Sequence, residues 1–187
     1  DKRINPSKGS TNTLTMDYAG GVLAGDDSFI RSVFDTSWYW PLWRELVFHW
    51  HAQVGYVMEN FGGDDVPDYE KFYLGGMNSV RGYDTRRICP RDEDDERIGG
   101  DKSFFTNFEL LFPLYKEMGI MGLFFFDAGN SWDTDESYSL DLYKSVGTGI
   151  RWYSPMGPLR LEFGYALDEL EGNGDKYKVE FSVGQFF

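Results

Sequence analysis

Apolar and polar residues alternate with a period of two along most of the chain. The clearest example is the segment LRLEFGYAL, residues 159–167, in which every odd-numbered position is apolar or aromatic. Its even-numbered positions carry Arg160, Glu162, Gly164 and Ala166. Successive side chains of a β-strand point to opposite faces of the sheet. The segment is therefore predicted to form a strand with one apolar face and one polar face.

Seven further segments show the same alternation, so the sequence predicts eight strands. The predicted strands are residues 12–23, 29–40, 47–58, 103–112, 118–128, 145–153, 159–167 and 177–187. The fifth is the least regular, because Phe124 and Phe126 oppose Phe125 and Asp127, which makes both of its faces apolar. Each strand has about ten residues, the length with which a tilted strand crosses a lipid bilayer.

The predicted connections alternate between short and long. PLWRE, FPLYKEMG and SPMGP are short and contain proline, whereas residues 60–102, 129–143 and 167–175 are longer and acidic. AGDDS, residues 24–28, is a short exception on the long side. Short turns at one end and long loops at the other are typical of an outer-membrane β-barrel.

Alternation alone would equally fit a soluble antiparallel barrel or sandwich that buries its apolar face. Aromatic residues at the strand ends favour the membrane interpretation, since such rings form girdles at both bilayer interfaces. These residues are Trp38, Tyr39, Trp40, Trp43, Trp152, Tyr153 and the terminal Phe187. The predicted fold is therefore all-β: an antiparallel transmembrane β-barrel or half-barrel of eight strands, forming a single domain over residues 1–187.

In this arrangement the polar faces point into a lumen. They carry Arg31, Asp35, His49, His51, Glu109, Asp127, Arg151, Arg160, Glu162, Lys178 and Glu180. Because both signs of charge are present, these groups can form pairs rather than lie isolated in an apolar environment.

The composition excludes several classes of protein. A formal net charge of −13 argues against nucleic acid as a partner. The sequence contains no run of about 18 apolar residues, so it predicts no transmembrane helix. The chain starts at Asp1 without a signal peptide, which is the pattern of a processed or excised fragment. Its one cysteine, Cys89, is either a lone loop thiol or the partner of a cysteine outside this sequence.

Candidate metal and catalytic sites are few. The acidic segments RDEDDER (91–97) and DTDESYSLD (133–141) could bind divalent cations or bridge to lipopolysaccharide, but they lack calcium-loop spacing and are interpreted as solvated loops. His49 and His51 share a face without further ligands. No nucleophile and base accompany Glu162 and Glu180. We therefore expect no enzyme activity, no metal and no cofactor.

The longest connection contains FYLGGMNSVRGYDTRRICP, residues 72–90, with paired glycines before Val80-Arg81-Gly82-Tyr83. This segment, together with FFFDAGNSW, GIRWYSPMGPLRLEFGYALD and VEFSVGQFF in the same order, resembles the carboxyl half of the barrel in the BamA family of outer-membrane β-barrel assembly proteins. The resemblance runs from about residue 5 to residue 187.

The resemblance implies strands nine to sixteen of a sixteen-stranded barrel, which in the family follows periplasmic POTRA domains. The first eight strands and the POTRA domains are missing from this sequence, so the family's lateral gate between first and last strands would be incomplete. Because an exposed strand edge is unstable in lipid, the eight strands would close on themselves or pair with another chain.

The resemblance also implies a role for the long loop. In the family this loop folds back into the barrel and its arginine contacts acidic residues of the inner wall, here Arg81 with Glu109 and Asp127. The alternation independently places both acids on the lumen face, and a guanidinium can form a two-pronged contact with a carboxylate. Gly75, Gly76 and Gly82 would permit tight turns. The alternative is a solvated loop whose arginine has no fixed partner.

The implied function is a non-enzymatic assembly factor of the bacterial outer membrane, which inserts and folds other β-barrel proteins by offering them an edge strand as a template. Its partners would be the lipid bilayer, unfolded outer-membrane proteins and, with the full-length parent, accessory assembly lipoproteins. Self-association of the fragment is a further alternative. The competing functions are a passive porin-like channel or anchor and a secretion transporter of the same superfamily, which uses the same loop motif.

Overall fold

The computed structural model describes residues 6–20, 28–60, 66–154 and 157–184. They form eight strands: β1 (Gly9–Tyr18), β2 (Phe29–Pro41), β3 (Val47–Glu59), β4 (Lys102–Tyr115), β5 (Ile120–Trp132), β6 (Tyr143–Ser154), β7 (Gly157–Ala166) and β8 (Tyr177–Val183). A short 3₁₀ turn, Trp43–Glu45, connects β2 and β3. Within these described ranges, no helix has the length and apolar character needed to span a membrane.

All eight strands belong to one antiparallel sheet in which each strand pairs with its neighbours in sequence. The predicted all-β antiparallel fold is thus confirmed. The predicted strand ends differ at several points. The first strand, predicted at 12–23, begins at Gly9 and ends at Tyr18, before the described residues 19–20. Strand β5 continues to Trp132 instead of ending at residue 128. Five predicted features lie partly outside the described residues. They are the end of the first strand (21–23), most of the turn at 24–28, part of the long connection (61–65), part of the SPMGP turn (155–156) and the end of the last strand (185–187).

The sheet is open. Among the described residues β1 pairs only with β2, and β8 pairs only with β7. Closure of the eight strands into a small barrel, one of the predicted alternatives, is therefore not the arrangement observed. The physical reason lies on the concave side: an eight-stranded barrel has an interior just large enough for side chains, whereas this sheet curves around a loop.

The two faces of the sheet have opposite character. Large apolar residues on the convex face are exposed, including Leu14 (64%), Phe124 (57%) and Phe163 (40%). Charged residues on the concave face are buried, with Arg160 and Glu162 each only 1% exposed. A soluble sheet protein shows the reverse pattern. The observed pattern is that expected of a sheet whose outer face contacts lipid.

The connection between β3 and β4 packs against the concave face. Backbone bridges at Phe72↔Gly100 and Leu74↔Ile88 give it a regular conformation. Four of its buried residues form one hydrophobic cluster with Phe105 of β4 and Ala166 of β7, namely Leu74, Val80, Tyr83 and Ile88. The loop and the inner wall therefore share a common core, which places the sequence motif at residues 80–83 in the middle of the molecule.

Two adjacent positions in the middle of β1 test the assignment of the faces. Leu14 lies on the convex face opposite Phe34, and Thr13 lies on the concave face opposite Asp35. We expect Leu14→Arg to destabilise the folded protein in phospholipid bilayers by about 2–4 kcal/mol, because its charge would face hydrocarbon. Thr13→Arg, the matched control, should have little effect. Urea titrations of folding in vesicles measure both, and equal destabilisation by the two variants would contradict the assignment.

Candidate functional site

The loop motif Val80-Arg81-Gly82-Tyr83 is buried at all four positions. A tight turn precedes it, in which the N–H of Gly76 donates to the carbonyl of Val80 (3.2 Å) and the N–H of Ser79 donates to the carbonyl of Gly76 (3.2 Å). Gly75, Gly76 and Gly82 all have positive φ angles. The turn directs the side chain of Arg81 towards the inner wall of the sheet.

The guanidinium of Arg81 is held by three carboxylates from three strands. Its Nε and Nη2 donate to Oδ2 and Oδ1 of Asp127 on β5, at 2.7 and 2.6 Å. Its Nη1 donates to Glu109 on β4 and to Glu162 on β7, both at 2.8 Å. The backbone N–H of Arg81 also donates to Asp127 (3.1 Å). A two-pronged contact with one carboxylate and single contacts with two others fix both the position and the plane of the group.

An aromatic ring covers one face of the same guanidinium. The central carbon of Arg81 lies 3.5 Å from the ring centre of Phe125, which is 5% exposed. Cation–π contacts of this kind are strongest where water is excluded. In the sequence, Phe125 is one of the residues that give β5 two apolar faces. A Cβ built on Gly147 of β6 would lie 2.3 Å from its ring. A glycine at position 147 therefore makes room for the ring under Arg81.

Two further arginines complete the charge balance. Arg151 on β6 donates to Glu109 from Nη1 and Nη2 at 2.9 and 2.6 Å and to Glu162 from Nε at 3.1 Å. Arg160 on β7 donates to Glu162 from Nε and Nη2 at 3.2 and 3.1 Å. The buried cluster therefore contains three arginines (Arg81, Arg151, Arg160) and three carboxylates (Glu109, Asp127, Glu162), so its formal charges balance.

The guanidinium of the loop arginine stays protonated in this environment. Burial alone would lower the pKa of Arg81, but the neighbouring carboxylates of Asp127, Glu109 and Glu162 more than compensate and hold its pKa well above the ordinary value. Arg81 is therefore a permanent cation, and the wall acids have a fixed positive partner.

The loop backbone lies directly against the sheet at one point. Gly82 has a φ of 87°, and a Cβ built on it would come within 3.0–3.2 Å of backbone atoms of residues 164–166. From the other side, a Cβ at Gly164 would lie 2.6 Å from the backbone nitrogen of Gly82. The two glycines allow a backbone-to-backbone contact that any side chain would prevent.

Tyr83 anchors the motif where β6 begins and β7 ends, which is one edge of the sheet because the two strands are antiparallel. Its hydroxyl lies within hydrogen-bond distance of the carbonyls of Lys144 (2.9 Å) and Asp168 (3.2 Å) and accepts from the N–H of Asp168 (3.3 Å). Burial raises the pKa of Tyr83 to about 12, so the hydroxyl keeps the proton that it donates. Val80 packs in the shared core, where its Cγ2 would be 3.0 Å from a Cβ at Gly129.

The two histidines of β3 belong to the periphery of this network. His49 Nδ1 lies 2.8 Å from Glu109 Oε2. His51 lies between Asp35 (2.8 Å) and Asn107 (3.0 Å), and the amide nitrogen of Asn107 donates to the carbonyl of Ser79 in the loop (2.7 Å). Among the described residues, no group of three or more His, Cys, Asp or Glu could hold a metal ion.

Cys89 lies near the end of the loop and is half-buried. Its thiol is free and lies 3.9 Å from the carbonyls of Arg86 and Arg87. Burial raises the pKa of this thiol, which keeps it in the less reactive protonated form.

The structure brings all six residues named from the sequence into one site, with Arg81 against both Glu109 and Asp127. Sequence reasoning did not assign Glu162, Arg151, Arg160 or Phe125 to it. The alternation had placed the three charged residues on the lumen face, but it contains no information about which lumen residues meet. The apolar inner face at Phe125 was a usable signal, because it interrupts the polar face of β5 next to Asp127. The ring also packs with Leu111 and Leu123 in a buried hydrophobic cluster.

Comparisons with known proteins agree with this description. The family model of the Omp85 superfamily domain matches residues 1–187. The outer membrane protein assembly factor BamA of Nitratidesulfovibrio vulgaris is 41% identical over the whole chain, and BamA of Neisseria meningitidis is 27% identical over the whole chain. The chain spans about a quarter of the length of these curated relatives, 24% and 27% respectively.

A solved structure has the same fold. The crystal structure of BamA from Haemophilus ducreyi lacking POTRA domains 1–3 superposes with a TM-score of 0.82 at 23% identity, covering 98% of this chain and 39% of that one. The likeness inferred from the four sequence motifs is thereby confirmed. With a family match over its full length and a relative 41% identical throughout, the chain belongs to the Omp85 superfamily.

Proposed function

We propose that this domain is part of an assembly factor that inserts and folds β-barrel proteins in the bacterial outer membrane. The observation that carries the proposal is the 41% identity, over the whole chain, with a protein named outer membrane protein assembly factor BamA. Because the chain covers only a quarter of that relative, the activity is assigned to the full-length protein to which the domain would contribute.

The domain is further proposed to be the second half of a sixteen-stranded barrel. The support is that its eight-stranded sheet is open, with unpaired edges on β1 and β8 among the described residues. The residues of β1 are exposed on both faces, as expected of a strand that lacks its neighbour. An unpaired edge in a bilayer leaves backbone groups unsatisfied at several kcal/mol each, so eight additional strands or a second copy must complete the sheet.

In this proposal residues 1–187 form a single transmembrane domain whose convex apolar face contacts the lipid bilayer of the outer membrane. The long connection at 60–102 is its extracellular loop, folded inward over the lumen. The alternation of exposed apolar and buried charged side chains supports this orientation. The proposed role needs neither a cofactor nor a catalytic group.

Unfolded outer-membrane proteins are the proposed clients, and accessory assembly lipoproteins are the proposed partners of the full-length protein. The physical basis for client binding is strand addition, because an edge strand presents unpaired N–H and C=O groups to an extended segment. The buried charge cluster contributes by keeping the inner wall in one shape, since a displaced arginine would leave three acids short of a partner.

Reconstitution tests the function. The full-length protein in liposomes is expected to speed the folding of a second, unrelated β-barrel protein, measured by its heat-modifiable migration on gels. Empty liposomes are the control. If folding is not accelerated and planar bilayers instead record stepwise ion conductance, the protein is a passive channel and the proposal fails.

Replacing Arg81 by lysine tests the role of the loop site. Lysine keeps the charge but loses the planar fork that contacts Asp127, Glu109 and Glu162 together. We expect Arg81→Lys to weaken loop docking by about 1–3 kcal/mol and to slow client folding by roughly tenfold. Arg44→Lys, at an exposed position in the turn between β2 and β3, is the matched control. Equal activity of Arg81→Lys and Arg44→Lys would show that the guanidinium geometry is not required.

The glycine contact provides an independent test. Gly164→Ala would place a methyl group 2.6 Å from the backbone nitrogen of Gly82, and should displace the loop without changing any charge. Limited proteolysis is expected to cut the loop at Arg86 or Arg87 at least about threefold faster, corresponding to a destabilisation of roughly 0.6 kcal/mol or more. Gly174→Ala, which would meet only the flexible end of Lys178 and a carboxylate oxygen of Asp84, should leave the cleavage rate unchanged. A Gly164→Ala protein with the wild-type cleavage rate would contradict the close contact.

A further inference from the structure

The loop contacts the last two strands, β7 and β8, in addition to the acids of β4 and β5. Three successive cross-strand pairs on the concave side of β7 and β8 are Arg160↔Ser182, Glu162↔Glu180 and Gly164↔Lys178. Each pair has at least one member that touches the loop. Arg160 donates to the carbonyl of Met77 (3.1 Å), and Glu162 accepts from Arg81. Gly164 packs against Gly82.

The middle pair is electrostatically unfavourable by itself. Glu162 and Glu180 are directly opposite each other in the ladder, and like charges at such positions destabilise strand pairing. The loop supplies a cation to one of the two carboxylates, since Arg81 donates to Glu162, and Glu180 lines the same cavity as the loop residues Met77 and Asn78. Without the docked loop, Glu162 would keep its contacts with Arg151 and Arg160 but would face Glu180 with one positive charge fewer.

A second contact joins the loop to β8 at the next position along the same face. Lys178 Nζ lies 2.8 Å from Asp84 Oδ1, and the N–H of Asp84 is fixed by the side chain of Asn173 at 2.7 Å. The described residues of β8 pair with β7 alone. The ion pair between Asp84 and Lys178 therefore joins the loop directly to a strand that has a single neighbour among the described residues.

We infer that Lys178 and Glu180 are positioning residues through which the docked loop holds the terminal strand β8 against β7. Withdrawal of the loop removes the partner of Lys178 and leaves the Glu162–Glu180 pair in mutual repulsion. Loop position and terminal-strand pairing are then one coupled equilibrium. The inference goes beyond the assembly function and rests on the contacts alone, so it can fail or hold independently of that function.

Hydrogen–deuterium exchange of the full-length protein in lipid nanodiscs tests this coupling, read in peptides covering residues 177–184. Lys178→Gln removes the ion pair with Asp84. It should raise the exchange rate of this peptide about threefold, as expected from losing the stabilisation of a partly exposed ion pair. Lys176→Gln is the matched control, since its partner Glu169 lies outside the loop. Peptides from β2 report on global unfolding and should not change in either variant.

A double-mutant cycle decides whether the effect passes through the loop. Asp84→Asn should raise exchange of residues 177–184 as much as Lys178→Gln does, and the double variant should add nothing further. Additive effects, or unchanged exchange in both single variants, would overturn the inference. Both substitutions leave the buried Arg81 cluster intact, so the cycle remains informative if variants of that cluster fail to fold.

The like-charge pair predicts a rescue. Arg81→Ala should raise exchange of residues 177–184 by about tenfold or more, and adding Glu180→Gln should reverse part of this increase by removing one of the two facing charges. A Glu180→Gln substitution that leaves exchange of the Arg81→Ala protein unchanged, or raises it, would show that the pair does not transmit the position of the loop.

Discussion

The arrangement of this domain depends on one buried cation. Arg81 brings a guanidinium from a loop into a region where its contacts are 0–2% exposed, and an unpaired charge there would cost several kcal/mol. Acids from β4, β5 and β7 neutralise it, and Arg151 and Arg160 neutralise the remainder. Each member is thus stable only if the others are in place, which ties a distant loop and four strands into one unit.

Two glycines on the concave side make room for this cluster and for the loop. Gly147 makes room for the ring of Phe125, and Gly164 admits the backbone of Gly82. The loop takes up the space that larger wall side chains would fill in a small closed barrel. The open sheet and the inward loop are therefore compatible parts of one packing arrangement.

The period-two pattern predicted the eight strands and the faces of Glu109 and Asp127, because alternation is a local property of an extended chain. It could not predict that Glu162 joins them. Glu109 and Glu162 lie on β4 and β7, which are not neighbours in the sheet, and only the curvature of the sheet brings them to the same arginine. The end of β5 at Trp132 was missed for a related reason, since loop packing extends the ladder beyond the regular pattern.

The donors and acceptors of the Arg81 cluster are separated by 28, 46 and 81 residues in sequence. Contacts of such long range form slowly, because the entropy of closing the intervening chain must be offset before any of them is gained. The receptacle for the guanidinium exists only after β4, β5 and β7 have aligned. Insertion of the loop is consequently a late step in the maturation of the domain, and a chain caught before that step would have a hydrated, acidic interior.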